Sequence, residues 1–211
     1  MRILLTGSKG QLGRAIISSA PSIIEGEDVE IFATFRDDLD LADENSCRKL
    51  IKKFLPHWVI NAGAYTSVDK AESQPELAIA VNGKAPAVFA EALLESGGQL
   101  LQISTDSVFD GNQVDPYLPN HIRNPLNMYG KSKLLGELAI ENLLGSTSQG
   151  IILRTSWMMG LCGHSFIKTM LRIHQNKKSC KVISDQFGCP TSSINLANVC
   201  WRIITQKRKE I

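Results

Sequence analysis

The sequence predicts an α/β protein built on a doubly wound parallel sheet with helices on both faces. Three observations predict it: short apolar runs alternate with longer helical segments, a glycine-rich turn follows the first run, and small or polar residues follow several other runs. Strands separated by helices form βαβ units, which build parallel sheets covered on both faces. Of the 211 residues, 43% are hydrophobic, which is enough for one sizeable core.

Each element follows from a local pattern. Apolar runs of strand length predict strands at 3–5, 29–34, 58–60, 100–104 and 150–155. Apolar residues at helical spacing predict helices at 13–20, 43–55, 75–96 and 129–144, with Pro86 as a kink or restart in the third. The stretch 110–125 is rich in Asp, Asn, Gly and Pro, so we expect a loop there.

Charge and cysteine usage narrow the class of protein. The formal net charge is +2 with both signs spread along the chain, which argues against a nucleic-acid partner, and the basic run at 206–209 is expected to be a solvated end. The five cysteines include no C-x-x-C pair, so we expect no disulfide framework, no metal site and a cytoplasmic protein. The first apolar run is too short for a signal peptide, and no stretch approaches the ~20 apolar residues of a membrane span.

Three glycines stand at every third position between the first strand and the first helix. Gly7, Gly10 and Gly13 form a G-x-x-G-x-x-G pattern. Glycine permits the tight turn, the close approach of the backbone to a pyrophosphate and the packing of helix on strand. The N-terminus of the helix then offers unpaired N–H groups to negative charge. The pattern therefore predicts a site for NAD or NADP, and the alternative is a plain glycine-rich turn.

The residues after the second strand bear on which cofactor is bound. No acidic residue closes this strand, as NAD-selective sites often require; Arg36 follows it instead. A guanidinium can hold the 2′-phosphate of NADP in a bidentate fork, but a surface arginine is an equally good interpretation. The next strand-like segment ends in Asp40 and Leu41, which can flank the adenine. The choice between NADP and NAD stays open.

A tyrosine and a lysine lie four residues apart at the start of the last long helix. Tyr129 and Lys133 therefore share one helical face. A nearby ammonium stabilises a phenolate and lowers the tyrosine pKa, so that the hydroxyl can exchange a proton with a substrate oxygen. Thr105 ends an upstream strand at the sheet edge where ligands bind, and its hydroxyl can bond the same oxygen. The alternative for Tyr129 is a helix-capping aromatic in solvent.

These motifs, with several longer ones, carry a resemblance to a known family. The chain resembles the extended short-chain dehydrogenase/reductase superfamily and, within it, the dTDP-4-dehydrorhamnose reductase family. The resemblance rests on six stretches spread from end to end of the chain, LLTGSKGQLG (4–13), VINAGAYTSVDKAE (59–72), STD with VFDG (104–111), PLNMYGKSKL (125–134), LRTSW (153–157) and DQFGCPT (185–191). It implies a Rossmann-like fold and NAD(P)H-dependent reduction of the C4 keto group of dTDP-4-dehydro-L-rhamnose to dTDP-L-rhamnose, a step toward cell-surface polysaccharide.

The resemblance also implies roles for residues. Tyr129 protonates the developing oxyanion, Lys133 lowers the tyrosine pKa and hydrogen-bonds the nicotinamide ribose, and Thr105 orients the carbonyl oxygen. Binding roles fall to Gly10, Gln11 and Leu12 at the pyrophosphate, to Asp40 and Leu41 at the adenine, to Ala62, Gly63 and Ala64 in the cofactor cleft, and to Thr105, Asp106 and Trp157 at the sugar nucleotide. For Trp157 the alternative is a core aromatic.

Two departures from the family limit what the resemblance implies. Ser107 stands where the family usually has tyrosine, and family members run on for several elements beyond Ile211. We therefore expect an NAD(P)-binding domain at 1–158, an incomplete substrate lobe at 159–191, and a helix at 192–211 that returns to the first domain. The sequence is compatible with a homodimer but does not determine the oligomeric state. The competing functions are a cofactor-binding regulatory subunit, like the β subunit of methionine adenosyltransferase, and another nucleotide-sugar reductase or epimerase.

Overall fold

The computed structural model describes residues 1–163, 165–176 and 179–208, and the end of the predicted basic run, Lys209, lies outside this range. The elements are, in chain order, β1 (Arg2–Thr6), α1 (Gln11–Ser18), β2 (Ile23–Ile24), β3 (Glu27–Asp28), β4 (Glu30–Ala33), α2 (Glu44–Phe54), β5 (Trp58–Asn61), α3 (Val68–Ser73), α4 (Pro75–Ile79), a π-helical segment (Ala80–Lys84), α5 (Ala85–Ser96), β6 (Gln99–Thr105), a 3₁₀ turn (Asp106–Val108), α6 (Met128–Leu144), β7 (Gly150–Thr155), β8 (Met158–Met159), α7 (Phe166–Gln175), β9 (Thr191–Ser192) and α8 (Ser193–Arg208).

The main sheet has five parallel strands in the order β4-β1-β5-β6-β7. The chain leaves β1 to form β4 on one side and later forms β5 on the other side. The strand order therefore reverses between β1 and β5, which is where open α/β sheets bind ligands at the carboxyl ends of their strands. The predicted fold class is confirmed.

The two faces of the sheet build two separate cores. Along β1, Ile3 and Leu5 join the core beneath α1 and α8, whereas Leu4 between them joins the core beneath α2, α5 and α6. Side chains alternate along a strand, so a strand apolar at every position must be covered on both faces. This is the doubly wound arrangement that the uninterrupted apolar runs predict.

The last helix returns to the first. The indole Nε1 of Trp201 on α8 donates a hydrogen bond to the carbonyl of Ile16 on α1 at 3.0 Å, and Trp201 is 6% exposed. The segment between β8 and β9 is different, because none of the residues of α7 is buried. α8 therefore completes the core that α1 begins, whereas α7 contributes nothing to it.

One local prediction is wrong, and a second is confirmed with one addition. The segment ending in Asp40–Leu41 is a turn, because the Asp38 carboxylate accepts from the Phe35 N–H at 3.2 Å and the Leu39 N–H bonds the Phe35 carbonyl at 2.9 Å. Aspartates favour such local bonds over strand pairing. The predicted helix 75–96 is continuous but passes through the π-helical segment, and α5 restarts at Ala85 with Pro86 in its first turn.

The same helical stretch qualifies what we expected about membrane spans. Within the described residues, Pro75–Ser96 is long and apolar enough, by length and composition, to cross a membrane. In this structure 56% of its most apolar window is buried inside the protein. Phe89 and Leu93 lie in the core between α2 and α6, and both are 0% exposed. The apolar character of the stretch is accounted for by this packing.

Candidate active site

A cleft of about 560 Å³ opens at the carboxyl edge of the sheet. It brings together most of the residues singled out from the sequence, although they come from five separate segments. These are Gly7, Gly10, Gln11, Leu12, Gly13, Ala62, Gly63, Ala64, Thr105, Tyr129 and Trp157. It is lined as well by residues to which the sequence assigned no role, Thr66, Ser104, Thr155, Ser156, Met158 and Gly163. Arg36, Asp40, Leu41, Asp106 and Lys133 do not line it directly.

The glycine turn is closed so tightly that side chains are excluded. Gly7 has a φ of +67°, and a Cβ placed on it would lie 2.7 Å from the Gly63 Cα. A Cβ on Gly13 would lie 2.3 Å from the Gly7 carbonyl oxygen. Gly10 caps α1 with no side chain to bond its first N–H groups, and the first turn of the helix carries no acidic residue. The turn therefore fits a pyrophosphate on the helix N-terminus.

The residues predicted to bind the adenosine part of the cofactor lie around and after the end of β4. The Leu41 side chain reaches Gly63, since a Cβ on that glycine would lie 2.7 Å from Leu41 Cδ1. Asp40 holds a local turn by accepting from the Ala42 N–H at 3.0 Å. Arg36 is exposed. Lys9, which sequence reasoning passed over, stacks its ammonium 3.1 Å from the Phe35 ring centroid, so two cations lie beside this end of the site.

The Tyr129 hydroxyl lies in the cleft beside Thr105, but its pKa is not shifted as the sequence predicts. Burial raises the tyrosine pKa above its usual value, a hydrogen bond with Thr105 lowers it less, and the nearby Asp106 charge raises it further. Lys133 is not among the causes of this shift, and its Nζ donates to the Ile103 carbonyl at 2.6 Å. The expectation that Lys133 lowers the tyrosine pKa is therefore wrong for this arrangement.

Lys133 is itself an unusual cation. It is 4% exposed, and burial lowers its pKa to about 8, while the Glu137 charge one turn along α6 acts in the opposite direction. A lysine in such surroundings loses its charge easily. Its ammonium therefore depends on the few polar groups that it touches.

Thr105 and its two neighbours form a small hydroxyl cluster. The Thr105 hydroxyl accepts from the Ser107 N–H at 3.1 Å and donates to the Asp106 carboxylate at 3.1 Å. The Ser156 hydroxyl donates to the other oxygen of Asp106. Ser107, where the family usually has tyrosine, stays within this cluster through its hydroxyl, 3.2 Å from Thr105 Oγ1. Asp106 thus holds the carboxyl ends of β6 and β7 together beside the cleft.

A buried charge cluster underlies the site, and the sequence analysis missed it. The Glu137 cluster consists of Glu137, Arg154, Arg123, Glu141 and Ser104. Arg154 donates to both oxygens of Glu137 at 2.9 and 2.8 Å, Arg123 donates at 3.0 Å, and the Ser104 hydroxyl donates at 2.5 Å. Burial acts to raise the Glu137 pKa, but these hydrogen bonds outweigh it and lower the pKa. Thr105 and Thr155, the next residues after Ser104 and Arg154, are held in place by it.

Trp157 lies at the outer rim of the cleft. It is 47% exposed, which excludes the alternative of a core aromatic. Its φ of +37° is unusual for a bulky side chain. A Cβ on Gly188 would lie 2.4 Å from the indole, so the motif 185–191 packs against this ring through a glycine. Trp157 therefore joins the cleft to the segment 159–191.

Comparisons with known proteins agree on one family. The chain matches the family described as RmlD substrate binding domain over residues 1–211. It is 40% identical to a dTDP-4-dehydrorhamnose reductase of Aggregatibacter actinomycetemcomitans, covering 96% of this chain and 67% of that protein. It is 38% identical to one of Burkholderia thailandensis, covering 94% of this chain and 64% of that protein. The chain thus spans about two thirds of the length of these curated relatives.

Solved structures agree with the sequences. A dTDP-4-dehydrorhamnose reductase from Clostridium acetobutylicum superposes with a TM-score of 0.89 at 38% identity, covering 99% of this chain and 71% of that one. A reductase of the same name from Bacillus anthracis, solved in complex with NADP, gives 0.87 at 32% identity, covering 96% and 70%. The resemblance drawn from the motifs is confirmed. The chain belongs to the RmlD family, the family of the dTDP-4-dehydrorhamnose reductases.

Proposed function

We propose that the chain carries the cofactor site and the proton donor for NAD(P)H-dependent reduction of dTDP-4-dehydro-L-rhamnose to dTDP-L-rhamnose. One observation carries the proposal: the Tyr129 and Thr105 hydroxyls open into the same cleft as the glycine turn. A reduced dinucleotide on the turn and a keto group on the two hydroxyls would therefore meet. The family relatives bear the name of this reaction.

In this proposal the chain's own residues handle the proton. Reduced nicotinamide, when bound, supplies a hydride to C4 of the sugar. The negative charge that this leaves on the C4 oxygen takes the Tyr129 phenolic proton, so the carbonyl becomes a hydroxyl. The raised pKa keeps Tyr129 protonated at neutral pH, which suits a proton donor for reduction. The Thr105 hydroxyl orients the carbonyl oxygen, and Lys133 hydrogen-bonds the nicotinamide ribose.

The remaining parts of the proposal concern the sugar, the compartment and the segment boundaries. We place the dTDP-sugar between Asp106 and Trp157, with 159–191 as part of the substrate lobe and 1–158 with α8 as the cofactor domain. The reaction is placed in the cytoplasm, where reduced thiols suit the five free cysteines. A cofactor-binding regulatory subunit is the competing function, because none of the described residues of 159–191 is buried.

Turnover decides between the two functions. With NADPH and dTDP-4-dehydro-L-rhamnose, absorbance of the reduced cofactor should fall with time. Tyr129→Phe should lower kcat about 100-fold or more, because the proton donor is lost. Tyr117→Phe is the matched control, since the Tyr117 hydroxyl bonds Asp110 outside the cleft at 2.8 Å. Cofactor binding without turnover on any keto sugar would refute the reductase and favour the binding module.

The two cations at the adenine end support a preference for NADPH. Lys9 and Arg36 flank Phe35 from the turn and from the chain after β4. Arg36→Ala and Lys9→Ala should each weaken NADPH binding about tenfold, the value of one charged hydrogen bond, and leave NADH binding unchanged. Lys49→Ala on the exposed face of α2 serves as the control. If the ratio of NADPH affinity to NADH affinity is unchanged in both variants, then neither Lys9 nor Arg36 binds the 2′-phosphate.

A further inference from the structure

A chain of buried hydrogen bonds crosses the carboxyl ends of three neighbouring strands. The Gly63 N–H donates to the Thr6 hydroxyl at 3.0 Å, and this hydroxyl donates to the Asn61 side-chain oxygen at 2.5 Å. The Asn61 amide donates to the Gln102 side-chain oxygen at 2.7 Å, and the Gln102 amide donates to the Ile103 carbonyl at 2.8 Å. We call the side chains of Thr6, Asn61 and Gln102 the relay.

The relay is sealed from water and its orientation is fixed. Thr6, Asn61 and Gln102 are 1%, 1% and 2% exposed. The asparagine side-chain oxygen can only accept, so the threonine hydroxyl, which accepts the Gly63 N–H, donates its proton to that oxygen. The asparagine amide is then left to donate to Gln102, which in turn points its own amide at Ile103. A buried polar chain with every member satisfied holds its side chains rigidly.

The relay ends on the atom that also holds Lys133. The Ile103 carbonyl accepts from the Gln102 amide at 2.8 Å and from Lys133 Nζ at 2.6 Å. The pairing of β5 with β6 stops at Asn61 and Gln102, one residue before this carbonyl. A carbonyl oxygen has two lone pairs, so it accepts both donors at once and links the two side chains.

We propose that Gln102 is a positioning residue for Lys133: its amide and the ammonium share the Ile103 carbonyl, and this shared anchor holds the ammonium in place beside the cleft. Through Asn61 and Thr6 the same link connects Lys133 to the glycine turn. The inference rests on the proposed function in one respect, that Lys133 contacts the bound cofactor. Without the Gln102 amide the Ile103 carbonyl loses the bond that fixes it, so the ammonium anchored on it shifts and the cofactor loses a charged hydrogen bond.

The experiment measures NADPH affinity by calorimetry in a double-mutant cycle. Gln102→Met should weaken NADPH binding about tenfold, which corresponds to the loss of one charge-assisted hydrogen bond. In a Lys133→Met background, Gln102→Met should change the affinity less than twofold, because there is no ammonium left to position. A merely structural role would weaken binding equally in both backgrounds, and that result would overturn the proposal. An unchanged affinity of Gln102→Met with Lys133 present would also overturn it.

Matched variants separate the relay from general effects of removing buried polar groups. Thr6→Val should repeat the effect of Gln102→Met, and Thr6→Ser, which keeps the hydroxyl, should restore the affinity. Thr34→Val is the control, since Thr34 is also 1% exposed and donates to a strand carbonyl outside the relay. Gln99→Met controls for Gln102 on the same strand. Near-ultraviolet circular dichroism verifies that each variant is folded before the titration.

The outcome is separable from that of the proposed function. Loss of turnover on the keto sugar with NADPH binding intact would refute the reductase, while the binding cycle would still decide the relay. Equal effects of Thr6→Val and Thr34→Val would show that the relay carries nothing specific to Lys133. A protein that binds neither NADPH nor NADH would overturn both.

Discussion

Two parts of the chain are built in opposite ways: residues 1–158 with α8, called here the cofactor half or packed half, and the segment 159–191. The first half, with α8, contains two cores in which Leu4, Ile60 and Leu101 are 0% exposed. Among the described residues of 159–191 none is buried, although Phe166, Leu171 and Phe187 are large and apolar. The cofactor half therefore stabilises itself, whereas the segment gains little from apolar burial within this chain.

In the proposed function, this difference separates the residues that handle the proton from the residues that contact the sugar. Tyr129, Lys133 and Thr105 stand on elements of the packed half and are held by buried polar groups. Trp157, the predicted contact to the sugar, stands where the packed half ends. Groups that must be placed accurately for proton transfer gain from a rigid surround. The residues proposed to contact the sugar can therefore change position while those proposed to bind the cofactor stay fixed. Substitutions in the two parts should then change the free energy of unfolding by different amounts.

The largest expected contrast is between two tryptophans. Trp201→Ala should lower the free energy of unfolding by about 3–5 kcal/mol, because it leaves a cavity between α1 and α8. Trp157→Ala should cost less than about 1 kcal/mol, because its side chain is half exposed. Urea denaturation of both variants measures the difference. Equal costs would mean that the segment is packed as firmly as the cofactor half.

A smaller contrast lies within the Glu137 cluster. Glu137→Gln should cost about 3 kcal/mol, because it leaves Arg154 and part of Arg123 without their buried partner. Glu141→Gln is the matched control on the same helix; its side chain is 43% exposed, so its pair with Arg123 should be worth less than about 1 kcal/mol. Both variants are compared by urea denaturation at pH 7. A cost at Glu141 equal to that at Glu137 would contradict the ranking by burial.

The pH dependence adds a second readout for Glu137. Its folded pKa is lowered from the usual 4.5, so its contribution to stability is present above that value and is lost as pH falls toward the folded pKa. The wild-type protein should therefore lose stability below pH 4.5 more steeply than Glu137→Gln. Parallel curves for the two proteins would show that the carboxylate is not held as the hydrogen bonds indicate.

The fold could be predicted from the sequence because its signals are local. Apolar runs mark each strand of the main sheet within two residues, and the glycine spacing marks the turn. The turn at 35–42 was misread because two apolar residues among aspartates imitate a short strand. The π-helical segment could not be predicted, since it depends on tertiary packing: a Cβ on Gly136 of α6 would lie 2.4 Å from the Asn82 carbonyl.

The site could be predicted only in part. Tyr129 and Lys133 are four residues apart, and the glycine turn is one continuous stretch, so both can be recognised as short sequence motifs. The relay joins Thr6 to Asn61 across 55 residues and Asn61 to Gln102 across 41, and no local pattern reveals such pairs. One signal was available: Gln102 interrupts the apolar run of β6, and a polar residue inside a buried strand needs a partner. Glu137 was hidden similarly, because its arginine partners lie 14 and 17 residues away.

The smallest expected free energy is that of opening the segment 159–191. Brief digestion with dilute trypsin should cut first after Lys168, Arg172 or Lys181, which are exposed and lie outside any core. Arg154 is the matched control, because its guanidinium is bound within the Glu137 cluster and its strand is paired with β6. Local opening in a segment with no buried apolar contacts costs little, so cleavage there should precede cleavage in the packed half.

The two fragments should stay associated, because α8 packs on α1 through Trp201 and Ile16. Mass spectrometry of the time course identifies the cuts and gel filtration tests the association; first cuts within 1–158 would remove the contrast between the two regions.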